Sequence, residues 1–128
     1  MTKIALGIDI GGTNTAVGVI DEKGNILHRF SIPTSKSAEE LVAELKLNYE
    51  AIGLQNTTLQ GIGIGAPNGN YYKGTVEFAP NLSWKGVVPL AAMFSKHFEV
   101  PAWLTNDANA AAIGEMQFGA AKGLKDFI

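Results

Sequence analysis

Leu6-Gly7-Ile8-Asp9-Ile10-Gly11-Gly12-Thr13-Asn14-Thr15, continued by Ala16-Val17-Gly18-Val19-Ile20, is the stretch that decides the fold. An apolar strand runs into a Gly-Gly turn, and a second strand leaves it. Gly11 and Gly12 can take positive φ and let the backbone approach a ligand closely. Successive N–H groups in such a turn form an anion-binding nest. Asp9 is a lone carboxylate in an otherwise apolar strand, where Asp is depleted and seldom buried without a partner. The short donors Thr13, Asn14 and Thr15 follow the turn. A carboxylate beside a phosphate cradle repels the phosphates unless a divalent cation lies between them. Mg²⁺ suits that place, since it keeps several waters and takes one or two carboxylates plus substrate phosphates. An ordinary tight hairpin would also use these glycines, but Asp9 and Thr13 beside them favour a nucleotide-phosphate and Mg²⁺ hairpin. The pattern argues against a dinucleotide fingerprint, because there the glycine turn opens a helix.

Working outward, residues 3–10 and 14–20 form two strands, and Asp21-Glu22-Lys23-Gly24-Asn25 turns into a third from Ile26 to Ile32, closed by Pro33. The three make an antiparallel meander. Ser37-Ala38-Glu39-Glu40 is a capping box, with Ser37 as N-cap and Glu40 reaching back. Ala38, Leu41, Val42, Leu45, Tyr49 and Ile52 recur at helical spacing and Gly53 stops the helix. Leu59 to Ala66 is a fourth strand carrying Gly61, Gly63 and Gly65 on one face. Such a face needs a close neighbour; a helix suits Gly61 and Gly63, whereas Gly65, at the strand end, is placed for a ligand. A small hairpin is expected from Tyr71 to Phe78 with Lys73-Gly74 near its tip, then an irregular loop, Ala79 to Gly86.

Pro89 opens the next helix at its first turn, with Leu90, Met93, Phe94, His97 and Phe98 as its apolar stripe. His97, and His28 in the third strand, are expected to be partly buried packing residues, because no second ligand stands at metal spacing. Pro101 to Thr105 forms a fifth strand running into Asn106-Asp107 and an Ala-rich helix. Asp107 suits a helix N-cap and equally suits a cleft at the carboxyl end of a strand, where ligands bind open α/β sheets. Position alone does not separate the two.

Composition bounds the partners. The 128 residues are 46% hydrophobic and 17% charged, which is globular rather than disordered. Ten basic and twelve acidic residues leave a formal charge of −2 with no basic cluster, which argues against nucleic-acid binding. There is no cysteine, hence no disulfide framework and no thiolate metal site. No signal-peptide pattern or membrane-length run is present, so the expected compartment is the cytoplasm and no membrane partner is expected. Two glycosylation sequons, at Asn56 and Asn81, read as chance in that setting.

The order strand, Gly-Gly, strand, strand, helix, strand, helix, strand, helix resembles one half of the actin-like, ribonuclease-H-like ATPase fold. Asp9-Ile10-Gly11-Gly12-Thr13 is similar to the first phosphate motif of that superfamily. Gly63-Ile64-Gly65-Ala66-Pro67, Ala79-Pro80-Asn81-Leu82-Ser83-Trp84 and Asn106 to Glu115 resemble the sugar kinases and repressors of the ROK family, bacterial glucokinases in particular. The implied fold is a five-stranded mixed α/β sheet, the meander plus parallel strands, with helices on its faces. Residues 1–121 would be an N-terminal ATPase and sugar-binding domain, and 122–128 the start of a link to a second domain. That domain would bring a second phosphate motif, the adenosine pocket and a structural zinc site. A truncated N-terminal half is expected to have little kinase activity alone.

The resemblance implies ATP-dependent phosphorylation of a hexose, glucose to glucose 6-phosphate, with ATP and Mg²⁺ as cofactors and a homodimer as the full-length assembly. Asp107 would be the catalytic base. Gly65, Ala66, Asn81, Asn106 and Asp107 would hold the sugar, Gly11, Gly12, Thr13 and Asn14 the ATP phosphates, and Asp9 the Mg²⁺ through water. Asn14 stands where many relatives carry lysine, and Asn68-Gly69-Asn70 replaces a Pro-Gly continuation. Two alternatives remain: a sugar-sensing regulator of the same family without its DNA-binding segment, and a non-catalytic sugar-binding domain.

Overall fold

Along the first strand it is side-chain size that alternates, since Ile4 to Ile8 are all buried. Ile4, Leu6, Ile8 and Ile10 are buried on one face, while the opposite face carries Ala5, Gly7 and an exposed Asp9. In the computed structural model the described residues are 2–66, 69–70, 75–77, 84 and 86–106. Their elements are β1 (Thr2–Ile10), β2 (Asn14–Asp21), β3 (Ile26–Pro33), α1 (Ala38–Ile52), β4 (Thr57–Ala66), β5 (Gly69–Asn70), β6 (Thr75–Glu77), β7 (Val87–Val88), α2 (Leu90–Phe98) and β8 (Ala102–Asn106). Five of them form a mixed sheet in the order β3-β2-β1-β4-β8. β1, β2 and β3 are antiparallel neighbours, and β4 and β8 run parallel to β1. This is the expected sheet.

Local chemistry places the joints. The Asp21 carboxylate accepts hydrogen bonds from the Lys23 and Asn25 backbone N–H groups, both at 2.9 Å, and closes the β2–β3 turn. These bonds, with the Asn25 backbone contact foremost, hold the Asp21 carboxyl below the usual aspartate range. Ser37 Oγ accepts from the Glu40 N–H at 3.2 Å, as the capping box predicts, and Gly53 ends α1 in the left-handed region at φ 69°. Leu41, Val42 and Leu45 of α1 and Leu90 and Phe94 of α2 join β1 in a single core, so both described helices share one face of the sheet. Phe98 meets Phe94 at 5.9 Å and Tyr49 at 6.0 Å between ring centres, locking α2 to α1. Burial there, followed by the nearby Glu50 charge, pushes the Tyr49 hydroxyl pKa up.

Several expectations are corrected. Pro89 occupies the cap position before α2 rather than its first turn, with no side-chain cap. The buried arc of α2 is rotated toward Ala91, so His97 is exposed and lines a cleft of about 560 Å³ with Lys36, Trp84 and Met93. His28 is exposed as well, because β3 is the sheet edge; its ring lies 6.3 Å from Phe30. The small hairpin starts earlier than expected, with Gly69 and Asn70 of β5 paired to Val76 and Thr75 of β6, and β7 adds a third strand through Val76 and Val88. Its tip, 71–74, lies outside the described residues. Among the described residues no helix is long and apolar enough to cross a membrane.

Candidate active site

The Gly-Gly turn is built by close approach and not by left-handed backbone. Gly11 N–H donates to the Asn14 carbonyl at 2.9 Å, and a Cβ on Gly11 would stand only 2.9 Å from that same oxygen. Positive φ occurs at Gly24, Gly53 and Gly86 among the described glycines, and at neither Gly11 nor Gly12. The freedom of glycine to take positive φ is thus not used here, and the requirement at position 11 is steric: any side chain there pushes the two strands apart.

One residue that sequence reasoning missed, Thr34, holds the turn from outside. Its N–H donates to the Thr13 carbonyl at 2.9 Å, and its Oγ1 donates to the Gly11 carbonyl at 2.7 Å. Thr34 Oγ1 lies 2.9 Å from Thr15 Oγ1. A hydroxyl has one proton to give, so Thr15 donates to Thr34, which donates to Gly11. Thr15 is fully buried, hence a link in this chain and not the ligand-facing donor that its position after the turn suggested. The carbonyls of Gly11, Thr13 and Asn14 are thus all engaged from within the protein. The backbone N–H groups of Gly12 and Thr13 have no partner among the described residues, and Gly12, Thr13 and Asn14 are exposed. A turn with its acceptors bound inward and its donors free outward presents partial positive charge to an incoming anion.

Sheet register brings the other candidates to the same end. Asp9 pairs with Gly65 across the β1–β4 ladder, Gly65 with Thr105, and Ala66 with Asn106. Strand spacing puts the β1 and β8 backbones about 10 Å apart. Asp9 is exposed between buried Ile8 and Ile10, beside the turn, with glycine as its β4 neighbour. Gly61, Gly63 and Gly65 are all buried, on the side of the sheet that carries Ala5, Gly7 and Asp9. No cluster of three or more His, Asp or Glu occurs among the described residues. A solitary exposed carboxylate beside unpartnered backbone N–H groups suits a cation such as Mg²⁺ held largely by water. Asn81 and Asp107 lie outside the described residues, and of Asn106 the backbone position alone is described.

Residues 5–128 match the ROK family. The chain belongs to that family. It is 39% identical over 126 residues to a glucokinase of Streptomyces coelicolor, covering 98% of this chain and 39% of that protein. It is 46% identical over 70 residues to a xylose repressor of Caldicellulosiruptor bescii, covering 53% of this chain and 17% of the repressor. Among solved structures, the ROK glucokinase of Streptomyces griseus, crystallised with glucose and AMPPNP, superposes with a TM-score of 0.71 at 39% identity. That match covers 94% of this chain and 38% of the glucokinase. The chain thus spans about two-fifths of the length of its glucokinase relatives.

Proposed function

We propose that these residues form the phosphate-binding wall and part of the sugar-binding wall of an ATP-dependent hexose kinase that converts glucose to glucose 6-phosphate. The observation that carries the reading is the inward-carbonyl, outward-amide turn set beside Asp9 at the carboxyl ends of β1, β4 and β8. The Streptomyces griseus relative, solved with glucose and an ATP analogue, supports both ligands. The turn of Gly11, Gly12, Thr13 and Asn14 is assigned to the ATP phosphates, with the N–H groups of Gly12 and Thr13 and the Thr13 hydroxyl as its donors, while the Gly11 N–H stays on the Asn14 carbonyl and closes the turn. Asp9 would hold Mg²⁺ through water, and the ion would neutralise charge on the phosphates. Gly65 and Ala66 are assigned to close backbone contact with the sugar ring, with Asn81 and Asn106 as hydrogen-bonding partners for its hydroxyls.

Asp107, directly after β8, is assigned as the base. Its carboxylate takes the proton of the sugar's primary hydroxyl as that oxygen attacks the γ-phosphorus and ADP departs. Positioning and charge neutralisation supply most of such a rate enhancement. We assign residues 1–121 to one domain and 122–128 to a link. The remaining three-fifths of a glucokinase-like chain would complete the nucleotide pocket and include the structural zinc. The same reading makes the full-length enzyme a cytoplasmic homodimer, and the 128-residue segment by itself a weak nucleotide binder with little turnover.

A coupled ADP-release assay on the full protein with glucose and Mg-ATP tests the reading. Turnover that requires both substrates is expected; calorimetric sugar binding without nucleotide binding or turnover would leave a non-catalytic sugar-binding module. The repressor relative favours one second reading, a sugar-responsive DNA-binding regulator. Sequence-specific retardation of operator DNA, relieved by sugar and without kinase turnover, would establish that reading instead.

A further inference from the structure

We propose that Thr34 is a positioning residue for nucleotide phosphates: it fixes the Gly11–Asn14 turn in the conformation that leaves its N–H groups outward. The proposal rests on the kinase reading above and adds to it a residue that touches no substrate. Thr34 grips the turn at two points, its N–H on the Thr13 carbonyl and its hydroxyl on the Gly11 carbonyl. Those carbonyls flank Gly12, so both ends of the peptide segment that offers the outward N–H groups are held. Left unheld, either peptide could rotate, turning a carbonyl toward the phosphates and replacing attraction by repulsion.

The grip is stiff because the segment around Thr34 is itself anchored on both sides. Pro33, with its ring-fixed φ, ends β3 opposite Asn14. The Ser35 carbonyl accepts the indole N–H of buried Trp84 at 3.0 Å, and Ser37 caps α1. Behind Thr34, the buried Thr15 hydroxyl points its proton at Thr34 Oγ1, which leaves the Thr34 proton committed to Gly11. A relay of two hydroxyls therefore ends on the phosphate turn, 23 residues away in sequence from Thr34.

Three variants of the full protein test this. Thr34→Val keeps the shape and the N–H but removes the hydroxyl; Thr34→Ser keeps the hydroxyl. Thr15→Val removes the buried partner while sparing the bond to Gly11, and so controls for lost stability. Thr34→Val is expected to raise the KM for Mg-ATP about tenfold, with the sugar KM within twofold, and to speed amide hydrogen exchange at residues 12–13. Thr34→Ser should stay within about twofold of wild type in both readouts. Thr15→Val should lower the melting temperature while leaving the nucleotide KM within about threefold.

A wild type that uses Mg-ATP together with a Thr34→Val variant of equal nucleotide KM would overturn the proposal alone. An equal rise in Thr15→Val would overturn it too, since loss of stability would then explain the effect. A wild type without nucleotide affinity would overturn the kinase reading and, with it, the role given to Thr34.

Discussion

Gly11→Ala measures how much of the site rests on one close approach. The new Cβ would sit 2.9 Å from the Asn14 carbonyl oxygen, about half an ångström inside ordinary contact. The obstructing atom is backbone, so no side chain can rotate away. Relief requires the turn to open, which stretches the Gly11–Asn14 bond and carries the Gly11 carbonyl off Thr34 Oγ1. Each bond contributes roughly 1 kcal/mol, giving a loss of about 2 kcal/mol. For a domain of this size that is a fall in Tm of roughly 6–10 °C.

Gly18→Ala is the matching control, since a Cβ there meets nothing within 4 Å and the backbone needs no positive φ. It should be neutral or stabilising by up to roughly 1 kcal/mol. Differential scanning fluorimetry of both variants, with and without Mg-ATP, checks the pair. Gly11→Ala should also lose most of the nucleotide-induced rise in Tm. Equal Tm values for the two variants would refute the claim that position 11 is glycine for space.

Asp107→Asn in the full protein should lower kcat by several orders of magnitude with sugar binding retained by calorimetry; a loss within about tenfold, roughly 1.4 kcal/mol, would make Asp107 a helix cap instead. Ser37→Ala removes the acceptor for the Glu40 N–H and should cost about 1 kcal/mol of stability by urea titration. Asp21 has its folded pKa depressed by the Lys23 and Asn25 contacts. Its contribution is therefore present above the unfolded pKa and is lost as pH falls through the folded one. Carboxyl NMR should place the Asp21 midpoint below those of unbonded aspartates, and Asp21→Asn should flatten the acid limb of stability against pH.

What could be read from the chain alone was what local chemistry decides. Ser37, Glu40 and Gly53 bracket α1 because capping and left-handed termination act within three or four residues. The apolar runs on either side of the glycine-marked turn placed the meander for the same reason. β7 was not legible: Val87 and Val88 are strand only because β6, ten residues earlier, offers an edge. Thr34 was missed because its partners lie 19 and 23 residues away, and Thr after Pro33 has no distinctive local pattern. His28 and His97 were misplaced because exposure depends on which strand is outermost and how far a helix is rotated, neither of which periodicity specifies. The grouping of Asp9, Gly65, Ala66 and Asn106 came from the family resemblance; spacing along the chain does not encode the register that joins them.

That register depends on one extra residue. β1 pairs Ile4 with Leu59 but Ala5 with Gly61, so Gln60 is bulged out of the parallel ladder. Leu59 and Ile62 have opposite parity in sequence, yet both pack on the core face with Ile4 and Leu6. The bulge reconciles them, because an added residue reverses every later side chain with respect to the faces. Without it, burying Leu59 beside Ile4 would bring Ile64 opposite Asp9. A branched side chain would then stand beside the carboxylate, where glycine now stands. The apolar requirement of the core at Leu59, Ile62 and Ile64 thus selects the register that sets a glycine beside Asp9. The two faces of the sheet differ in kind: α1 and α2 pack on one, and on the other β1 and β4 carry the small buried residues Ala5, Gly7, Gly61, Gly63 and Gly65 beside the exposed Asp9.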